Sequence, residues 1–496
     1  MAISVHAVGT VAVGTTSVVP TYPTWTFQNG DIALILVANK YPTNGPLPPD
    51  HVPTIADAQG SGGAGAAGID LGTVYSTAYI FSCRGDESAT TKTIAIASGN
   101  SACAVVLIIR PTTAGNLFDI KACNGADNSG GATSWSVTGN ADPGFAANDL
   151  AVILSAINTD NYTYGSQAIS ATGATFGALA EHIDGGTSGG QDCGIHVCSF
   201  PVTGGPSSAA PVFTMTASSS ATNNPAGSSV ILRIREFTPS ITWLSRADVG
   251  AAQGTTTLAL THHASIASGD LILAATATKY VAANTPTDFT LDANGSKQGG
   301  VGTTGIDTGQ IFATVFYRTS NGTETGDVSV TITAGNSSSG QIVAFRPTTG
   351  YTWSLAFTNG SDDTGGAAYS ATGASDLNLI AGDIVVCAQA INGNNDSFIN
   401  FALTNSGVVF TAPKWIASLA TANGDDSAFL VTCFYVLSGT SSGAPTLAGT
   451  LNAASANIAG PTVFVRIRAV APVTDTGEWI GEYPAEKSRS PQWSTY

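Results

Sequence analysis

One strand is written four times in this chain. "NGDIALILVANKY" (29–41) returns as "SGDLILAATATKY" (268–280), and looser copies stand at 148–158, "NDLAVILSAIN", and 382–392, "GDIVVCAQAIN". Each copy begins with Gly-Asp or Asn-Asp, so Asp31, Asp149, Asp270 and Asp383 mark four nearly evenly spaced starts. Each start is answered further along by an apolar run that carries arginine: "VVLIIR", "VILRIR", "QIVAFR" and "VFVRIR". Such a chain is a string of related units rather than one continuous domain.

The units alternate. "GTT" at 14–16 recurs at 254–256, "GID" at 68–70 recurs at 305–307, and "IIRPTTAG" at 108–115 recurs as "AFRPTTG" at 344–350. "NGADNSGG" (124–131) matches "NGSDDTGG" (359–366), "ILRIRE" (231–236) matches "FVRIRA" (464–469), and Cys198 aligns with Cys433. The expected organisation is a tandem duplication of a two-domain unit. Its boundaries are 1–113, 114–238, 239–349 and 350–470, followed by a C-terminal arm at 471–496.

Helical periodicity is nearly absent. Short runs rich in Val, Ile, Thr and Phe alternate with clusters of Gly, Ser, Asn and Pro, which predicts an all-β chain of four antiparallel β-sandwiches of jelly-roll or immunoglobulin-like type. "DIALILVA" and "CAVVLIIR" are apolar without a break, as strands covered on both sides would be. "DVSVTITAG" alternates, as a half-exposed strand would.

Charge narrows the function classes. Charged residues are 10% of the 496, the net charge is −16, and only 17 residues are Lys or Arg. A nucleic-acid groove or a polybasic membrane contact needs clustered cations, so neither partner is expected. No apolar run is long enough to span a bilayer as a helix, and "MAISVHAVGTVAVGTT" has neither the basic nor the long apolar part of a secretory signal. Synthesis in a cytoplasm is the expectation. A surface of hydroxyls and amides also suits packing against identical or partner chains, because little charge must be desolvated. The seven cysteines, Cys83, Cys103, Cys123, Cys193, Cys198, Cys387 and Cys433, lie mostly in apolar runs and read as buried free thiols.

Candidate sites are few. The four aspartates read as turn and strand starters, because Gly or Asn accepts positive φ and Asp accepts nearby backbone N–H groups. Losing one carboxylate is expected to cost on the order of 1 kcal/mol. "CGIHVC" holds Cys193, His196 and Cys198, a possible metal set. A strand would place His196 and Cys198 on one face and Cys193 on the other, and the sister stretch has Ala428, Val431 and Cys433. "NGADNSGG" and "NGSDDTGG" offer Asp127 and Asn128, and Asp362 and Asp363, as oxygen ligands for Ca²⁺, without EF-hand spacing. No cofactor is otherwise implied. Arg84-Gly85-Asp86 reads as a turn, and His262-His263 has no counterpart histidines. No nucleophile elbow, Walker loop, HExxH or dinucleotide fingerprint is present, so no enzyme activity is expected. Trp25, Trp135, Trp243 and Trp353 are the aromatics that a sugar-binding sandwich would use. Trp479, Tyr483, Trp493 and Tyr496 concentrate in the C-terminal arm and are the candidate partner-binding residues.

The succession of "GDIALILVA", then "TVYSTAYIF" or "QIFATVFYR", then "AVVLIIRPTT" or "QIVAFRPTTG" resembles β-sandwich repeats in proteins of tailed bacteriophages and prophages. The resemblance covers 1–470. It implies a non-enzymatic virion protein, most simply a capsid decoration, cement or head-fibre protein. Its partners would be other virion proteins, capsid or tail, and further copies of itself. The alternatives are a tail- or baseplate-attached fibre that binds a receptor, and an adhesive module that binds a host surface glycan.

Overall fold

The computed structural model describes residues 3–15, 17–41, 59–64, 73–84, 94–95, 101–127, 134–157, 163–186, 193–218, 227–246, 250–253, 257–261, 266–280, 297–302, 309–324, 327–331, 337–362, 368–391, 398–411, 415–420, 428–451 and 460–471. These residues form strands, turns and loops, with no helix among them.

Four large antiparallel sheets share one strand order. In the first, Val5–Val8, Ser101–Ile109, Asn29–Tyr41, Thr73–Arg84 and Gln59–Ala64 lie side by side. The second runs Leu117–Asp127, Gly227–Phe237, Leu150–Ile157, Gly194–Gly204 and Ala180–Gly186. The third runs Ile241–Arg246, Ser337–Pro347, Leu271–Tyr280, Gly309–Thr319 and Lys297–Gly302. The fourth runs Thr352–Asp362, Gly460–Val470, Ile384–Ile391, Ala428–Gly439 and Trp415–Ala420. The fourfold strand is the middle one each time, with the arginine-bearing closing strand beside it. A smaller sheet accompanies each large one. Ser17–Val18 pairs Ile94–Ala95, and Thr257–Thr261 pairs Asp327–Thr331. Two three-stranded sheets are centred on Val212–Ser218 and Thr446–Leu451.

Burial explains the unbroken apolar runs. On the first middle strand Ala33, Ile35 and Val37 face the small sheet and join Val18 and Ile94 in one core. Leu34, Leu36 and Ala38 face the other way and join Val152, Leu154 and Ala156 of the second large sheet. The same holds for Leu271, Leu273 and Ala275 against Ile384, Val386 and Ala388. Each half of the chain is therefore four layers deep: small sheet, large sheet, large sheet, small sheet. The small sheets have one wet face, and Ser134–Thr138 and Ala368–Thr372 alternate exposed and buried residues accordingly.

The linkers are held as well. Glu236, ending the second closing strand, accepts hydrogen bonds from Thr112 N–H and Oγ1, Thr113 N–H and Asn116 Nδ2 at 2.7–3.0 Å. Burial raises its pKa, but these bonds outweigh it and hold the carboxyl below its ordinary value. Leu117 and Phe237 pack on the core of the second half, and the Phe237 and Tyr435 rings meet edge to face at 5.5 Å.

One expected match is corrected. Cys198 pairs with Ile153, whereas Cys433 pairs with Val386, the counterpart of Val152. Cys198 thus lies in the core beneath the small sheet and Cys433 in the core between large sheets. Matching the two cysteines by letter is one residue out of register, and in a strand one residue changes the face. By register Thr432 stands where Cys198 does, and Leu430 where His196 does.

The shared core predicts that domains fold in pairs. A fragment of residues 1–238 should melt cooperatively, while 1–113 alone should bind a hydrophobic dye such as ANS strongly, having lost the cover of Leu34, Leu36 and Leu107. A dye-silent, cooperatively melting 1–113 would contradict the shared-core account.

Candidate functional site

The most repeated polar constellation is built at the start of each middle strand. Gly30, Asn148, Gly269 and Gly382 have φ of 99°, 75°, 90° and 92°, the left-handed region that Gly and Asn tolerate best. This conformation closes a turn in which the following Asp N–H donates to a carbonyl three residues back: Gln28, Ala146, Ala267 or Ile380, at 3.0–3.2 Å. The same residue returns its N–H to the Asp carboxylate at 2.7–3.0 Å. The sequence reading of these aspartates as turn and strand starters describes this geometry.

What the sequence did not reveal is the partner. Each aspartate receives the Nε and Nη2 of an arginine from the closing strand. Arg110 meets Asp31 at 2.7 and 2.7 Å, Arg235 meets Asp149 at 2.8 and 2.7 Å, Arg346 meets Asp270 at 2.9 and 2.8 Å, and Arg468 meets Asp383 at 2.7 and 2.7 Å. Arg110, Arg235 and Arg468 also donate to the carbonyls of Thr26, Gly144 and Asn378, pinning the incoming loop. The bond to Asp raises the pKa of Arg235, Arg346 and Arg468. A signal for this was present. Neighbouring antiparallel strands place the start of one beside the end of the other, and both charged residues stood at those ends.

The second and fourth domains add a further arginine two residues earlier. Arg233 forms a buried salt bridge with Asp119, and burial lowers its pKa. Its counterpart Arg466 instead donates to Leu377 O at 2.9 Å and Ser354 Oγ at 3.1 Å.

These groups hold strands together. Two carboxylates serving as acid and nucleophile would need to face one another; here each faces its own arginine. One row does bring Ser, His and Asp side by side: Asp184 pairs with His196, His196 with Ser155, and Ser155 with Ser229. Yet the Ser155 and Ser229 hydroxyls bond each other at 2.8 Å, both ring nitrogens of His196 lack a hydrogen-bond partner, and Ser155 and His196 are fully buried. The row presents no nucleophile to a substrate. Tyr164 packs on His196 with centroids 5.0 Å apart. Burial first, and the His182 charge second, push the His196 pKa down to about 4.

The other candidates resolve individually. Cys193 and Cys198 point into different cores on either side of the sheet, as strand alternation predicts, so they and His196 do not converge. Among the described residues no three His, Cys, Asp or Glu side chains gather as a metal site. Asp127 and Asp362, each at the end of a large-sheet edge strand, accept a backbone N–H from the small sheet, from Ser136 at 2.8 Å and Ser370 at 2.6 Å. Trp135 is buried. The Trp25 Nε1–H donates to Asp31 at 3.1 Å with the Arg110 guanidinium over its ring, and the Trp353 Nε1–H donates to Gly269 O at 2.9 Å. Asn128, Asp363, Gly85, Asp86, His262, His263, and Trp479, Tyr483, Trp493 and Tyr496 lie outside the described residues, as do the side chains of Cys83, Arg84 and Trp243.

The clasp should respond asymmetrically to mutation. The four aspartates are at most 2% exposed, the arginines 22–40%. Arg110→Ala strands a buried carboxylate and should cost about 3–5 kcal/mol. Asp31→Asn leaves an arginine that reaches water and should cost only about 1.5–3 kcal/mol. Equal losses in urea unfolding would contradict the burial argument.

His196 should make the fold acid-sensitive. Its folded pKa lies below the unfolded value of 6.5, so the unfolded chain takes up the proton first. The stability is present above pH 6.5 and lost as pH falls toward 4, by roughly 3 kcal/mol. His196→Leu, the residue its sister sheet carries, should flatten the fall in Tm between pH 7 and 4. The charged neighbours Asp184, Glu181 and His182 remain in both proteins, so the difference between the two profiles isolates His196.

No protein-family model, no curated protein and no solved structure matches the chain.

Proposed function

We propose that this protein is a non-enzymatic structural component of a tailed phage virion, carried on the capsid exterior as a decoration, cement or head-fibre protein. The observation that carries the reading is the fourfold clasp. Among the described residues, the one polar constellation repeated in every domain is consumed in joining strands of its own sheet, with its carboxylates buried. Repetition has multiplied a rigid building block rather than a chemical site. The low charge supports the same reading, since a surface of hydroxyls and amides packs on neighbours with little desolvation cost. Attachment to tail or baseplate is the nearest alternative.

A glycan-binding role is less well supported. Sugar rings stack on exposed aromatic faces. Trp135 is in the core, while Trp25 is covered by Arg110.

The test is the particle itself. Mass spectrometry and electron microscopy of virions from the source, with and without the gene, should find the chain in many copies on the head and missing density in the deletion. Particles that never contain it would overturn the proposal.

The arm at 471–496 is proposed as the contact with neighbouring subunits, through Trp479, Tyr483, Trp493 and Tyr496. Deleting it should leave far-UV circular dichroism unchanged and lower occupancy on the particle. Wild-type occupancy of the truncated chain would remove the arm from the interface.

A further inference from the structure

We infer that Cys103 and Cys193 form a latent cross-link, a dithiol site that oxidation closes into a disulfide between the first two large sheets. The two residues are 90 apart in sequence, Cys103 in a strand of the first large sheet and Cys193 immediately before the Gly194–Gly204 strand of the second, yet their Sγ atoms stand 3.8 Å apart in the shared core. Both are fully buried.

The sheets are close at this point because the facing residues are small. Cys103 is flanked on its own sheet by Ala38, and Ala38 by Ser76. The opposing sheet presents Cys193 together with Ala156 and Ser228, which pair directly. Side chains of one sheet consequently reach the backbone of the other. Cys103 Sγ donates to Cys193 O at 3.5 Å, Cys193 Sγ to Ala38 O at 3.7 Å, and Ser228 Oγ to Val74 O at 3.5 Å. Closing the pair to a sulfur–sulfur bond of about 2.05 Å requires the two thiols to turn toward one another about their Cα–Cβ bonds.

The other described cysteines are placed where they cannot compete. Cys123 and Cys198 share a core, but Ile231 and Ile153 separate them in the ladder. Three strand spacings of about 4.8 Å divide the two. Cys387 and Cys433 sit on neighbouring strands but on opposite faces of their sheet, in different cores. In the second half the position of Cys103 is taken by Ser339, paired with Ala277 as Cys103 is with Ala38. The site therefore belongs to the first half alone.

The reaction balances with a peroxide as oxidant. The Cys103 or Cys193 thiolate attacks one peroxide oxygen, giving a sulfenic acid and releasing water after proton transfer. The second thiol attacks that sulfur, forms the S–S bond and expels a second water. Two thiols and one hydrogen peroxide become one disulfide and two waters. Hydrogen peroxide is little larger than water, which suits a buried pair reached through transient opening. The bond would close a long loop and restrict the unfolded chain.

The experiment uses the full chain, reduced with a phosphine and then exposed to hydrogen peroxide. Intact mass should fall by two hydrogens, and non-reducing peptide mapping with fragmentation should assign the link to Cys103 and Cys193. Tm should rise by several degrees and return on reduction. Cys193→Ser should lose the link and the rise, while Cys198→Ser should keep both. Should a variant fail to fold, the wild-type map still decides. Both thiols free for alkylation after peroxide treatment and unfolding, oxidation of either to sulfinic acid without a link, or a link to another cysteine would overturn the assignment.

Discussion

A sheet that is apolar on both faces has no side to offer water, and the molecule is arranged around that fact. The run from Ile32 to Ala38 is buried on both sides without interruption. Each buried Leu, Ile or Val in such a run stabilises the fold by roughly 1.5–3 kcal/mol, so leaving one face wet would forfeit much of the fold's driving force. Each domain's own small sheet covers one face, and the large sheet of the adjacent domain covers the other. The smallest arrangement that satisfies both faces is a pair of domains. The same paired arrangement recurs in the second half.

Burial on both faces creates a difficulty at the strand ends, where the chain must leave the core and its register must be fixed. A slip of one residue would exchange the two cores of a middle strand. The Asp–Arg clasp meets this need with geometry as well as energy. A bidentate guanidinium–carboxylate contact has one good alignment, and it couples the start of the middle strand to the end of its neighbour. The carboxylate also closes the turn that launches the strand. Turn, register and strand pairing are thus set by one group of atoms, which explains why Asp and Arg survive in all four copies while residues around them differ.

Much of this was readable from the chain. Uninterrupted apolar runs against alternating ones separated two-sided from one-sided strands, and the Gly/Asn-Asp dipeptides located the turns. What could not be read was pairing between strands distant in sequence. The arginines were visible as a recurring feature of closing strands, but only the topology puts Arg110 beside Asp31. The misplacement of Cys433 opposite Cys198 has a related cause, because matching letters in apolar strands do not fix register. The Cys103–Cys193 approach depends on face-to-face packing of two sheets, which leaves no periodic trace in either segment.

Comparing the two halves also separates what the fold needs from what one half alone carries. Positions that the second half fills with Ser339, Leu430, Ser354 and Ala469 hold Cys103, His196, Asp119 and Glu236 in the first. The second half forms the same four layers without a thiol, an imidazole or a carboxylate at these points, so none of the four is required by the architecture. In the first half their contacts differ in kind. Asp119 and Glu236 engage an arginine and a linker, whereas Cys103 faces another thiol and the His196 ring nitrogens have no hydrogen-bond partner. A buried imidazole without a hydrogen bond costs stability that the bland sister residue avoids. The cores of the two halves therefore differ in kind, and in the first half the thiol pair and the imidazole sit inside the layers.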